Sequence, residues 1–377
     1  MLSALSLFSG AGGMDIGVRQ AGFEILACIE IDPHCCETLR NAIEREKVKT
    51  LLFEKDIRQV RSSQLMESFN LQVGELDLLF GGSPCQSFSQ AGKRASLDDE
   101  RGLLLFEFIR FAKDLKPKVI LIEQVKGVLK AIDKAGNIGG VCKDLSSQLK
   151  KLGYRLSIQT INSANYGVAQ ARERVFIVAT KTEEIFHFPL PTHGKLDAQI
   201  SLFPAQQHIT VGQALMGLGS PSKDKENPPE DSHIDITPAG DRRRIHGVPE
   251  GSFLAKELHL PEEQRCKLTK KDTTKFRRLS FSEPSLTLRC GEIFFHPIED
   301  RYLTPREYMR IHGYPDDYVL KGPIRSRSGR VRHLDQHRQV ANSVPPPVAY
   351  AIAKQIAEFL GAAKFLDIST QKELMSA

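Results

Sequence analysis

The sequence contains no apolar run approaching the roughly 18 residues that a membrane span requires, and its N-terminus has neither the basic flank nor the small-residue cleavage site of a secretory signal. The expected compartment is the cytoplasm. No CxxC pair is present, and the seven cysteines, Cys28, Cys35, Cys36, Cys85, Cys142, Cys266 and Cys290, are an odd number scattered along the chain. That pattern indicates no disulfide framework and offers no zinc-ligand spacing, so no metal is expected. No internal repeat or heptad array is visible either, which removes solenoids and coiled coils.

What is present is a chain of 377 residues with 41% hydrophobic content, enough to bury a large core in two domains or in one domain with a big insertion. The formal charge is +6 and the isoelectric point near 8.8. Contact with a polyanion is therefore plausible, because Lys and Arg that neutralise phosphates release condensed counterions. The charge is uneven. Arg242 to Arg244 form one basic run, Lys267 to Arg278 another, and Lys321 to Arg338 a third, all in the C-terminal half. Taken alone, each run reads equally well as a solvated surface.

The first 180 residues alternate short β-rich runs with helical patterns, the signature of a doubly wound α/β sheet. Expected strands are Ala4–Phe8, Ile25–Ile29, Leu76–Phe80, Val119–Ile122 and Val175–Ala179. Leu104, Phe108, Phe111 and Leu115 stand at helical spacing, as do Leu145, Leu149 and Leu152, with Gly153 at a C-cap position. From about Phe188 the texture changes to Pro- and charge-rich sequence without βαβ alternation. We read residues 190–334 as a smaller, loop-rich domain and residues 1–189 plus 335–377 as the larger one. The second part of the larger domain is a helix after Pro345-Pro346-Pro347, with Val348, Ile352, Ile356 and Leu360 on one face.

Five segments carry chemistry. The first strand runs into Phe8-Ser9-Gly10-Ala11-Gly12-Gly13-Met14-Asp15, a glycine-rich turn feeding a helix whose free amides suit a nucleotide-like ligand. The third glycine of a GxGxxG fingerprint would fall at Asp15, which disfavours nicotinamide or flavin. About 20 residues on stands Glu30, at a strand end where a carboxylate accepts from ribose hydroxyls, and Asp56 beyond it could reach an adenine amino group. The Gly81-Gly82-Ser83-Pro84-Cys85 segment presents a thiol at the carboxyl edge of the sheet, where a thiolate would act as a nucleophile. Glu123 ends the next strand and could handle a proton there. Arg172 and Arg174, at i and i+2 before an apolar strand, share one face and could orient Glu123 and bind a phosphate.

The order and content of these segments resemble the DNA (cytosine-5) methyltransferases, in particular the bacterial restriction-modification type. LFSGAGGMD (7–15) is similar to that family's cofactor loop, GGSPCQSFS (81–89) to its nucleophile loop, and QARERVF (170–176) to its paired-arginine motif. Arg301 to Pro315 resembles the segment that closes the recognition domain, and Gln339 to Pro346 the last cofactor-pocket motif. Two positions depart from the pattern. Gln124 stands where the family usually has Asn, and Ala341 where it usually has Gly, which requires a negative φ there.

The resemblance implies a Rossmann-like S-adenosylmethionine-dependent domain with a target recognition domain, acting on double-stranded DNA and releasing S-adenosylhomocysteine. It assigns catalysis to Cys85, Glu123, Arg172 and Arg174. Cofactor contacts carry over to Phe8, Gly10, Gly12, Gly13, Glu30, Ile31, Asp56, Ile57, Ser83, Pro84, Asn342 and Val344, and DNA contacts to Gln86, Ser87, Thr287 and Leu288. A monomer is expected. The compact build, without a long regulatory extension, suggests a restriction-modification enzyme with a separately encoded endonuclease. The alternatives are a tRNA cytosine-5 methyltransferase and a catalytically silent DNA-binding protein on the same scaffold.

Overall fold

The computed structural model describes residues 1–84, 104–133, 136–194, 206–254, 261–264, 276–325 and 333–375. Among them, seven strands form one sheet in the order β3-β2-β1-β4-β5-β8-β6. They are β1 (Leu2–Leu7), β2 (Phe23–Glu30), β3 (Leu51–Glu54), β4 (Leu78–Gly82), β5 (Val119–Val125), β6 (Arg155–Asn162) and β8 (Glu173–Thr180), with the short β7 (Gln170–Ala171), β9 (His193–Gly194) and β10 (Gln206–Gln207) outside the sheet and helices α2 (Pro33–Glu46) and α3 (Ser62–Phe69) following β2 and β3. From β3 to β5 all neighbours are parallel. β8 runs antiparallel to both β5 and β6.

Parallel strands covered on both faces read as continuous apolar runs rather than as alternation. β4 and β5 do so: Leu78, Leu79, Phe80, Ile120, Leu121 and Ile122 are all buried. On one face Leu79, Ile120 and Ile122 pack with Phe108 and Phe111 of α4 (Glu107–Leu115) and with Leu145 and Leu149 of α5 (Gly140–Lys151). On the other, Phe80 and Leu121 pack with Met14 and Val18 of α1 (Gly13–Gln20) and with Val348, Ile352 and Ile356 of α10 (Pro346–Met375). The helical stripes expected from the sequence are these core faces, and Gly153 takes φ +86° just past α5. The returning C-terminal helix closes the doubly wound layer.

Two sheet strands lie outside the sequence-based expectation. β3 is only four residues long. β6 is the sheet's outer strand and exposes Gln159 and Thr160, and edge strands carry polar residues that blur the β signal. β4 also begins and ends two residues later than expected, so Gly81 and Gly82 belong to the strand itself. Their lack of a side chain provides clearance: a Cβ on Gly81 would lie 1.9 Å from the Leu7 carbonyl oxygen of β1, and one on Gly82 would lie 2.8 Å from Oε2 of Glu123.

The described residues between 206 and 325 make a smaller, loop-rich part, with α6 (Val211–Leu215), α7 (Ala239–Ile245) and α8 (Pro305–His312) as its helices. α8 starts where the local chemistry says it should. Thr304 and Glu307 form a reciprocal capping box, Pro305 occupies the first turn, and Gly313 ends the helix at φ +82°. A third apolar cluster joins Phe294, Tyr308 and Met309 to Ala11, Ile16 and Ala42 of the larger part, and to Val340 and Ala341 of α9 (Gln336–Asn342). A parallel pairing of β11 (Ser285–Leu286) with β7 is a second seam between the two parts.

Candidate functional site

The carboxyl ends of β1, β2, β4 and β5 meet in a cleft of about 280 Å³, at the place where an open α/β sheet binds its ligands. Phe8 leaves β1 in the left-handed region at φ +56°, costly for a residue with a side chain and a mark of functional geometry. That twist starts the glycine-rich loop. Gly10, also left-handed, donates its amide to Oε2 of Glu30 at 2.7 Å. Oε1 of Glu30 accepts the amides of Ile31 and Asp32, both at 2.8 Å. Burial pushes the Glu30 carboxyl up, while these amides pull it the other way. Three of about four acceptor positions are thereby used, which leaves acceptor capacity on Oε2 for a hydroxyl donor.

Asp56 caps a short turn beginning at Ile57 and is gripped by the Arg58 guanidinium, which holds its carboxyl below the usual range. Phe8, Gly10, Glu30, Ile31, Asp56, Ile57, Ser83, Pro84 and Asn342 all line the cleft. Gly12, Gly13 and Val344 do not. A Cβ on Gly12 would meet the Tyr318 hydroxyl at 2.6 Å and one on Gly13 the Val344 carbonyl at 2.5 Å. Those two glycines let α1 press against the C-terminal segments, and Val344 is core.

The cleft also includes residues without a local sequence signal. Leu334 is held at its rim by Asp32, which accepts the Leu334 amide at 2.9 Å, and by His34, whose Nδ1 lies 3.0 Å from the Leu334 carbonyl. Leu104 lines the cleft as well. Acidic groups at strand ends, a glycine loop and apolar walls fit an adenosine-bearing cofactor.

At the floor, the strand pairing sets Gly82 opposite Glu123. Arg174 on β8 brings Nε to 3.1 Å from Oε1 of Glu123. The buried Gln124 donates Nε2 to the Ser83 hydroxyl at 2.7 Å and to its carbonyl at 3.1 Å. The longer amide at this position therefore ties β5 to the turn that leads to Cys85. Arg172 lies just before β8 and donates Nη2 to the Ser343 carbonyl at 3.1 Å; it lines the same cleft as Arg174. Ala341 is inside α9 and is not among the positive-φ residues, which meets the condition set by its side chain. Cys85, Gln86 and Ser87 lie outside the described residues, as do Lys267–Lys275 of the second basic run.

Thr287 is partly exposed and donates Oγ1 to the Ala171 carbonyl at 3.0 Å. Leu288 turns its side chain into the core. Several basic residues of the expected runs act within the protein: Arg242 pairs with Asp235, Arg338 with Asp335 at 3.2 Å, and the buried Arg278 with Asp300 at 2.6 Å. Among the described residues no cluster of His, Cys, Asp and Glu could hold a metal ion, and no helix is long and apolar enough to cross a membrane.

Comparison with known proteins follows the same lines. The profile of the C-5 cytosine-specific DNA methylase family matches residues 2–358. The chain is 35% identical over 372 residues to the Type II methyltransferase M.PspPI of Psychrobacter sp., covering 96% of this chain and 80% of that protein. It is 31% identical over 366 residues to the Type II methyltransferase M.Eco47II of Escherichia coli, covering 95% and 79%. Among solved structures, a prophage-encoded DNA modification methyltransferase from E. coli shares the fold with a TM-score of 0.68 at 22% identity, over 96% of this chain and all of that one.

Proposed function

This chain belongs to the C-5 cytosine-specific DNA methylase family and is a DNA (cytosine-5) methyltransferase of the Type II kind, and from that premise we propose that Cys85, Glu123, Arg172 and Arg174 carry out the transfer on a cytosine flipped out of duplex DNA. Cytosine C5 is too weak a nucleophile to take a methyl group directly, so the ring must first be activated by covalent addition. Cys85, directly after the cleft residue Pro84, adds its thiolate to C6. Glu123 shares a proton with ring N3 and so offsets the charge that builds there, with Arg174 holding the carboxylate in place. Arg172 faces the ring oxygen. S-adenosylmethionine supplies the electrophilic methyl group, on its sulfonium, and leaves as S-adenosylhomocysteine. A solvent base then takes the C5 proton as the Cys85 sulfur is expelled and the N3 proton returns to Glu123, which restores the aromatic ring and the free thiolate.

The observation that carries this reading is the pairing of Gly82 with Glu123 in one cleft beside Glu30 and Asp56. It supports the reading because the Glu123 carboxylate, the strand end that leads to Cys85, and Glu30 with Asp56 line a single crevice. None of the reacting atoms is reachable inside a stacked duplex, so the base must be extruded at a cost of a few kcal/mol. Gln86 and Ser87 would line that opening, and Thr287 with the rest of 190–334 would read the target, base edges giving specificity and phosphates register. The enzyme would act as a monomer, in company with a separately encoded endonuclease.

The test is transfer of a labelled methyl group from S-adenosylmethionine to duplex DNA and, in parallel, to tRNA, with the modified base located. Label at C5 of cytosine in DNA is expected, and its absence from a Cys85→Ala variant that still binds the cofactor. Label in RNA only would replace this reading by the tRNA enzyme; label in neither, by a silent DNA binder.

A further inference from the structure

Between the recognition segment and the paired arginines runs a buried chain of hydrogen bonds that the chemistry above does not use. The Leu288 amide donates to Oε1 of Gln170 at 3.1 Å. Nε2 of Gln170 lies 2.8 Å from Nδ1 of His312, and Nε2 of His312 lies 3.0 Å from the Ser343 carbonyl. The same carbonyl accepts Nη2 of Arg172 at 3.1 Å. Gln170, Arg172, His312 and Ser343 are all buried.

The ends of this chain fix its direction. A backbone amide only donates and a backbone carbonyl only accepts. Oε1 of Gln170 must therefore face Leu288, its NH2 must donate to His312, and the imidazole must be neutral with its proton on Nε2. Burial, followed by the nearby Arg172 charge, drives the imidazole well below its ordinary pKa, which agrees with that single tautomer. Tyr314 stacks on the ring at 6.0 Å between centroids and fixes its plane. Each member therefore has one hydrogen-bonding orientation.

We propose that Gln170 and His312 form a positioning relay through which the seating of the Thr287–Leu288 segment sets the Ser343 carbonyl and, with it, the Arg172 guanidinium. β11 enters the relay by pairing with β7, where Ser285 stands opposite Gln170 and Leu286 opposite Ala171. Thr287 adds a bond to the Ala171 carbonyl, one residue from Arg172. Ser343 directly follows Asn342 of the cleft, so the relay ends beside a residue that lines it. A recognition segment that is correctly seated on DNA holds Arg172 in line, and one that is displaced does not. The relay is a positioning device: none of its side chains needs to touch the base. It rests on the assignment of Arg172 to catalysis.

Two variants of similar size and polarity separate its halves. In His312→Gln the amide nitrogen falls where Nε2 was and keeps the donor to Ser343, and the amide oxygen is left to accept from Gln170, so both links of the relay persist. In His312→Asn the shorter amide stays near Gln170 and loses that donor. With single-turnover methylation of duplex DNA, His312→Gln should stay within a few-fold of the parent. His312→Asn should fall about 100-fold, the scale of a misplacement near 1 Å, with the cofactor Kd and the DNA KM unchanged. Thermal unfolding of both variants reports any plain structural loss. Equal rates for the two variants, or a loss in His312→Asn that follows only its melting temperature, would overturn the relay. A parent enzyme that leaves DNA unmethylated would instead overturn the proposed function, so the two failures are distinct.

Discussion

Arg172 and Arg174 stand two residues apart and face one cleft, yet they hold different partners. Arg174 meets Glu123 at 3.1 Å, whereas Arg172 donates Nη2 to the Ser343 carbonyl. The Glu123 carboxylate is thus oriented from β8, as the proposed proton exchange with the ring requires. Glu123→Gln keeps the shape and removes that proton exchange, so the methylation rate should fall by about 100- to 10,000-fold with DNA affinity in a gel shift preserved; an unchanged rate removes Glu123 from catalysis. Asp15 is a different case, a buried carboxyl in the first turn of α1 that accepts the Cys28 thiol at 3.2 Å. Burial raises its pKa. The folded state therefore holds its proton more tightly than the unfolded chain, and the stability this confers, full below the ordinary carboxylate range, is lost as pH rises through the raised value. At pH 8 the charge is a standing cost. Asp15→Asn should raise stability there by about 1 kcal/mol, with the advantage shrinking towards pH 4; a lower melting temperature at pH 8 would mean that the thiol bond and the helix terminus outweigh burial.

At the scale of elements, β4 shows how close approach selects glycine. The Cβ of an alanine at Gly81 would run into the backbone of β1, which cannot yield, while at Gly82 it would press on the far end of the Glu123 side chain, which can. Gly81→Ala should therefore fail to give folded protein. Gly82→Ala should melt close to the parent and lose about 100-fold in rate, because the carboxylate is moved by about 1 Å. Circular dichroism with heating, alongside the methylation assay, distinguishes the two outcomes; equal effects would contradict the clearance argument. Gln124 acts at the same level by tying β5 to the Ser83 turn. Its extra methylene relative to the family's usual Asn is absorbed within a buried amide bonded twice to one residue.

For the molecule as a whole, net charge is a poor guide to where DNA lies. Arg278 is buried against Asp300 and the carbonyls of Ile245 and His296, whereas Arg243 stands exposed on α7. Arg243→Ala should weaken DNA binding uniformly across sequences and flatten the log-affinity against log-salt slope by about one, while Arg278→Ala should lower the melting temperature; an unchanged slope takes Arg243 off the phosphate path. The sequence by itself determined the doubly wound class, the returning helix and the chemical groups of the cleft. Those depend on local runs: continuous apolar strands, a helical stripe from Val348 to Leu360, and strand-end carboxylates beside a glycine loop. Only the tertiary structure decided that Gly12 and Gly13 leave room for the Tyr318 hydroxyl and the Val344 carbonyl, that Leu334 forms a wall, and that His312 stands between Gln170 and Ser343. Each of those depends on contacts between residues far apart in the chain, such as Asp32 and Leu334 at a separation of 302 positions, which no local pattern encodes. The edge strand β6 stayed hidden for the related reason that a half-solvated strand need not look apolar.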